Sequence, residues 1–177
     1  WRYQGNVNLV SAIAQSSNVY FYTVGGGAFD VRGLGISKLE EWWKKFGLGK
    51  LTGIDLPQEE KGFLPSPDWK LQKTRKPWLL GDTYNVSIGQ GDLLLTPVQL
   101  LNYITAIGNG GKIYEPRLNI EANHPKVLAD LAYLKKEIDE LRAGMKEAVT
   151  SPLGTAYKLN DLGFTVGAKT GSAQVRN

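Results

Sequence analysis

The segment Phe164–Val175, which reads FTVGAKTGSAQV, predicts a β-strand in a chain whose other periodic segments are mostly helical. Its residues are mainly β-branched or small, and Gly167 and Gly171 lie on either side of a single charge, Lys169. Glycine weakens the interior of a strand and is kept mainly where another backbone or a ligand comes close. We therefore expect an α+β fold in which this strand borders a site.

The residues at the centre of this strand suit an anionic peptide. A strand edge with the Lys169 ammonium, the hydroxyls of Thr170 and Ser172, and the bare backbone of Gly171 can bind an extended peptide that ends in a carboxylate. The alternative is an edge strand whose lysine only opposes aggregation. The spacing alone leaves both interpretations open.

A second candidate site is Ser16-Ser17-Asn18, which lies where two short apolar helices are predicted to meet. The apolar residues of 6–15 recur at helical spacing, and a further apolar segment follows Asn18. Ser and Asn are also the preferred residues for capping a helix N-terminus. Taken alone, this tripeptide is therefore interpreted as a local cap.

Further helices are predicted at 37–47, 96–109 and 129–149. Capping boxes indicate two of these starts, Ser37 with Glu40 and Thr96 with Gln99. Within the helix that follows Thr96, the apolar residues Leu100, Leu101, Ile104 and Ile107 are expected to face inward. The alternating segment 112–118 predicts a strand, and the Gly- and Pro-rich region 48–92 is expected to be long and irregular.

Composition excludes several classes of function. The 177 residues suit one domain, and the net charge of +4 comes from scattered lysines and arginines that often adjoin acids, which argues against a nucleic-acid partner. There is no cysteine, and the one histidine, His124, lies in a turn-like segment. Disulfides, a cysteine nucleophile, a histidine-based triad and a metal site are therefore not expected.

Taken together, Ser-x-Asn at residues 16–18 and Lys-Thr-Gly at residues 169–171 resemble the motifs of penicillin-binding proteins and serine β-lactamases. The segments FGLGKLTGIDLP, WLLGDTYNVSIGQGDLLLTPVQL and GAKTGSAQV, in that order, resemble class B penicillin-binding proteins of the elongation type. The resemblance spans residues 1–177. It implies a partial transpeptidase domain: mostly the helical lobe, with the Lys-Thr-Gly strand.

The function that this resemblance implies is a peptidoglycan D,D-transpeptidase. Such enzymes cross-link stem peptides that end in acyl-D-Ala-D-Ala through a serine acyl-enzyme, and β-lactam antibiotics trap that intermediate. The resemblance further implies the cell-wall elongation machinery as a partner, no cofactor, and a location at the extracytoplasmic face of the bacterial membrane, with an anchor outside this chain.

The resemblance also assigns residue roles. Ser16 is expected to relay protons to the leaving nitrogen, and Asn18 to hold the substrate amide and orient the catalytic lysine. Lys169 is expected to bond that serine and supply positive potential. Thr170 would receive the substrate carboxylate, Gly171 would leave room for the substrate backbone, and the Ser172 N–H would supply half of the oxyanion hole. Ser17 is given no role.

The family's Ser-x-x-Lys nucleophile is absent, because no lysine in the sequence has a serine three positions before it. We therefore expect an internal segment of a transpeptidase domain that is inactive alone. Because a single strand taken from a central sheet leaves two unpaired edges and an uncovered apolar helical lobe, we also expect the isolated chain to be marginally stable, oligomeric, or paired with missing or swapped segments. The alternatives are a non-catalytic penicillin- or peptidoglycan-binding sensor module, a serine β-lactamase, for which no deacylating glutamate is evident, and a helical partner-binding domain with an incidental Lys-Thr-Gly.

Overall fold

The computed structural model describes residues 4–119 and 125–172. The structure is mainly helical with one small sheet. In chain order the elements are α1 (Leu9–Ala14), α2 (Asn18–Gly26), α3 (Gly35–Lys45), α4 (Pro67–Thr74), α5 (Leu80–Ser87), α6 (Pro97–Asn109), β1 (Lys112–Tyr114), β2 (Val127–Asp130) and α7 (Lys135–Thr150). Single 3-10 turns lie at Ala132–Leu134 and Tyr157–Leu159.

Helix α1 packs along α7, and this pair supports the end of α1, where Ser16 lies. The contact is close because α7 carries Gly144 opposite Ile13, whose side chain is 5% exposed. At the end of the pair, Ala14 and Ala148 are fully buried and pack with Val149. Small side chains thus allow the two helix axes to approach.

Helix α6 has the predicted start. The Thr96 hydroxyl accepts from the Gln99 N–H at 3.2 Å, and the Gln99 side chain accepts from the Thr96 N–H at 3.0 Å, with Pro97 in the first turn. The helix leads into an antiparallel hairpin in which Ile113 of β1 pairs with Ala129 of β2. Of the four residues predicted to face inward, Ile107 is buried, but the prediction is wrong for Leu100, Leu101 and Ile104, which are 45%, 66% and 37% exposed. The described buried residues of α6 are Gln99, Ala106 and Ile107.

Three other predictions of secondary structure are wrong. The region 48–92 contains two helices, α4 and α5, and is not irregular throughout. Helix α3 begins at Gly35 without a side-chain cap, so Ser37 lies within its first turn and caps nothing. The helix predicted from residue 129 begins at Lys135, because Ala129 and Asp130 pair with β1 instead. That pairing is a contact with a distant segment, which helical spacing does not reveal.

The Lys-Thr-Gly segment is not a hydrogen-bonded strand in this structure. Residues 165–172 carry no strand, and within the described residues only β1 and β2 form a ladder. A strand needs a neighbouring strand to pair its N–H and C=O groups, and this segment instead bonds α7 through the Ala168 N–H and the Met145 carbonyl at 2.9 Å. The end of the predicted strand, 173–175, and His124 lie outside the described residues.

No helix in the described parts of the chain combines the length and the apolar character needed to cross a bilayer.

Candidate active site

A cleft of about 700 Å³ lies between α2, the end of α5 and the Lys-Thr-Gly segment. All six site residues predicted from the sequence line it: Ser16, Asn18, Lys169, Thr170, Gly171 and Ser172. Ser16 and Lys169 are 153 positions apart in the chain, yet their side chains meet. The structure therefore brings the two predicted motifs to one site.

Ser16 occupies a strained turn between α1 and α2. Its φ is 54°, in the left-handed region that residues other than glycine rarely adopt. The next residue, Ser17, is 2% exposed and caps α2 by accepting from the Tyr20 N–H at 3.4 Å. Because Ser17 caps α2, the Ser16 side chain is available to the cleft. Residues with a strained backbone conformation often have functional roles.

The Lys169 ammonium donates to Ser16 Oγ at 2.8 Å and to the Thr170 carbonyl, also at 2.8 Å. Among the described residues that line the cleft, Lys169 is the one charged side chain, so no carboxylate there neutralises it. Although much of the side chain is accessible, partial burial removes water from the ammonium and lowers the pKa of Lys169 below its ordinary value. The cleft therefore favours an anionic ligand.

The Thr170 hydroxyl is held by a chain of hydrogen bonds that ends at α1. It donates to Thr155 Oγ1 at 2.8 Å, and the Thr155 hydroxyl donates to the Ala14 carbonyl at 3.2 Å. The Thr155 N–H also donates to that carbonyl, at 3.0 Å. Since Ala14 lies two residues before Ser16, Thr155 fixes the Lys-Thr-Gly segment against the serine turn.

The remaining predicted residues surround the open part of the cleft. Asn18 is the first residue of α2, and its side chain bonds to none of the described residues. Gly171 has nothing within 4 Å of the position that a Cβ would occupy, so its face is open. The Ser172 carbonyl accepts from Gln90 Nε2, which joins the Lys-Thr-Gly segment to the turn after α5.

Several cleft residues were missed by the sequence analysis. Asn85, Gln90 and Tyr103 all line the cleft, and the first two come from the region expected to be irregular. Tyr103 is half-buried, and the loss of water around its hydroxyl raises its pKa. The signal that could have revealed α4 in that region is Ser66 before Pro67, a serine cap followed by proline in the first turn. No sequence signal points to Thr155, because its bond to Thr170 forms only in the folded chain.

The described residues include no group of three or more histidine, cysteine, aspartate or glutamate side chains that could hold a metal ion.

Comparison with known proteins gives consistent matches. The family model for the penicillin binding protein transpeptidase domain matches residues 1–177. The chain is 34% identical to the peptidoglycan D,D-transpeptidase MrdA of Haemophilus influenzae, over 97% of this chain and 27% of the relative. It therefore spans about a quarter of that relative's length.

Two solved structures from Helicobacter pylori are similar. The penicillin-binding protein PBP2 aligns with a TM-score of 0.86 and 38% identity, over 99% of this chain and 33% of that chain. A complex between PBP2 and MreC aligns with a TM-score of 0.84 and 38% identity, over 97% of this chain and 31% of that chain.

Proposed function

Because this chain belongs to the penicillin-binding protein transpeptidase domain family, we propose that it forms part of a peptidoglycan D,D-transpeptidase. In the proposed reaction a serine oxygen adds to the peptide carbonyl of acyl-D-Ala-D-Ala, and D-alanine leaves with a proton. The amine of a second stem peptide then displaces the serine oxygen, which recovers a proton. Residues 1–177 would together form part of one transpeptidase domain.

The observation that carries this proposal is the contact between Lys169 and Ser16. Because Ser16 Oγ accepts from the Lys169 ammonium at 2.8 Å, the serine's own proton is free to point into the cleft, towards a leaving nitrogen. The lowered pKa of Lys169 brings it nearer to the range in which a lysine can exchange protons. The pair thus suits the role of a proton relay.

The other cleft residues suit substrate binding. We assign the carboxylate of acyl-D-Ala-D-Ala to the Thr170 hydroxyl and the positive potential of Lys169, and the substrate amide to Asn18. The open face of Gly171 leaves room for the peptide backbone, and the Ser172 N–H is assigned to the oxyanion. A β-lactam, with its amide and carboxylate, suits the same contacts.

The nucleophile must come from outside these 177 residues, because the sequence contains no Ser-x-x-Lys. We therefore propose that this chain alone forms no acyl-enzyme. As partners we propose peptidoglycan stem peptides and the elongation machinery, the latter because a similar protein forms a complex with MreC. As a location we propose the extracytoplasmic face of the membrane.

Fluorescent penicillin labelling tests the proposal. It is applied to this chain and to the product of the complete gene, including any sequence that flanks these residues. We expect labelling of the complete product only, lost in Lys169→Ala and kept in the control Lys158→Ala, whose lysine does not line the cleft. Labelling of this chain would refute its inactivity, and a complete product that stays unlabelled would favour the non-catalytic binding module.

A further inference from the structure

A second cavity, of about 660 Å³, adjoins the active-site cleft. The two share Asn85 and Gln90, which come from α5 and the turn after it. Gln90 also bonds the Ser172 carbonyl, so the border between the cavities is held to the Lys-Thr-Gly segment. A molecule in the second cavity would therefore lie directly beside one in the cleft.

The second cavity offers both signs of charge, unlike the cleft. Lys70 and Asp82, which line it, form an ion pair with each other. Lys76 and Asp92 also line it, and neither forms an ion pair with another residue that the structure describes. The cavity thus presents one cation and one anion that are not neutralised by a described neighbour.

Trp78 gives this cavity a fixed apolar wall. Its indole N–H donates to the Thr83 hydroxyl at 2.8 Å, and Thr83 is 5% exposed. The Lys70 ammonium lies 5.9 Å from the centre of the indole ring. The bond to the buried Thr83 and the nearby Lys70 ammonium hold the ring in place, and the indole lines the cavity as an apolar surface.

We propose that the second cavity binds the acceptor peptide of the cross-linking reaction, with Asp92 contacting its amino group and Lys76 a carboxylate of the same amino acid. The amino group binds as the ammonium and loses one proton to water before its lone pair attacks the acyl carbonyl. On attack the amine gives up a second proton, which the departing serine oxygen recovers. This inference rests on the proposed function, since a transpeptidase must hold two peptides side by side. The cleft, where Lys169 is the one charged group among the described lining residues, suits the anionic end of the donor. A zwitterionic amino acid instead matches the pair Lys76 and Asp92.

The test measures how the acyl group partitions between an amine and water. The complete gene product is supplied with a thioester analogue of acyl-D-alanyl-D-alanine, and D-alanine or D-alaninamide is added as the acceptor. We expect the parent to prefer D-alanine, which has the carboxylate. Lys76→Gln should remove that preference, and Asp92→Asn should lower the ratio of aminolysis to hydrolysis for both acceptors. At exposed charges the expected effect is about two- to fivefold.

Two variants with the same change of charge serve as controls. Lys73→Gln changes a nearby lysine whose ammonium lies over Trp69, and Asp161→Asn changes an exposed acid. Neither residue lines the second cavity. Both should keep the parent's ratio. Equal effects in the controls would overturn the proposal, because they would show a long-range effect of charge.

Penicillin labelling separates this inference from the proposed function. We expect Lys76→Gln and Asp92→Asn to be labelled like the parent, since labelling needs only the donor side. If Lys76→Gln and Asp92→Asn lose both penicillin labelling and acyl transfer to the acceptor, the inference is overturned, because these residues would then act through the fold or the donor site. A labelled parent whose variants keep its ratio refutes the acceptor site alone, whereas an unlabelled parent refutes both.

Discussion

Replacing Gly144 by alanine should loosen the helix pair that supports Ser16. A Cβ at this position would lie 2.8 Å from Ile13 Cβ and 3.0 Å from Ile13 Cδ1. Both atoms belong to a side chain that is 5% exposed, so it has little space into which it can move. Helix α1 must then shift away from α7, and the turn at Ser16 must shift with it.

The magnitude follows from two opposing effects. Alanine is favoured over glycine in a helix interior by about 0.8–1 kcal/mol. Forcing an extra methyl group into a packed core costs about 1–3 kcal/mol. We therefore expect Gly144→Ala to lower the free energy of unfolding by between zero and about 2 kcal/mol. Replacing glycine by alanine within a helix usually raises it.

A matched control isolates the steric cost. Gly108 is an exposed residue of α6, and nothing lies within 4 Å of the position that its Cβ would occupy. Gly108→Ala should therefore stabilise by up to about 1 kcal/mol. The difference between the two variants, about 1–3 kcal/mol, measures the clash with Ile13.

Urea unfolding followed by circular dichroism measures both variants against the parent. With a slope of about 2 kcal/mol per molar urea, a difference of ~2 kcal/mol moves the midpoint by about 1 M. Penicillin labelling of the complete gene product should slow in Gly144→Ala and remain unchanged in Gly108→Ala. The reasoning is refuted if Gly144→Ala is as stable as Gly108→Ala and is labelled as fast.

Two further predictions concern the cleft. Thr155→Val removes the hydroxyl that bonds Thr170 at 2.8 Å, so it should slow penicillin labelling of the complete product roughly two- to tenfold. Thr155→Ser keeps a hydroxyl and should restore the rate, and equal labelling rates in the two variants would contradict this role. Because burial lowers the pKa of Lys169, the folded state binds its proton more weakly than the unfolded state does. The free energy of unfolding of the parent, relative to Lys169→Met, should therefore rise with pH from the lowered pKa to the ordinary value of about 10.4 and then level off. Urea unfolding between pH 7 and 11 checks the sign, and a relative stability that falls over this range would contradict it.

The elements that the sequence predicted best are those stabilised by local contacts. The capping box of Thr96 and Gln99 forms within one helical turn, and the left-handed Gly110 ends the same helix. By contrast, the N-cap residue of α5 is the apolar Leu79, and Gly81 lies in the first turn. The local support at this end is the Asp82 carboxylate, which accepts from the Leu79 N–H at 2.7 Å. The position of α5 depends on its packing against α2, which is distant in the sequence.

The motifs themselves could be found in the sequence alone. Ser16, Asn18 and Lys169 are recognisable because the resemblance depends on the order and spacing of residues. The absence of Ser-x-x-Lys is likewise a property of the sequence alone. The resemblance also predicted that Lys169 bonds Ser16, and the structure has that contact at 2.8 Å. Residue spacing could not have given it, because 153 positions separate the two residues and no local rule relates them.

The sequence by itself thus determined the family, the candidate residues and most helix positions, since each depends on residue identity and near-neighbour spacing. Tertiary structure alone decided that Ser17 rather than Ser16 caps α2, that Thr155 holds Thr170, and that no described carboxylate lines the cleft in which Lys169 meets Ser16. It also decided that the Lys-Thr-Gly segment is not a strand here. The physical reason is the same in each case: these features depend on hydrogen bonds and packing between segments far apart in the chain.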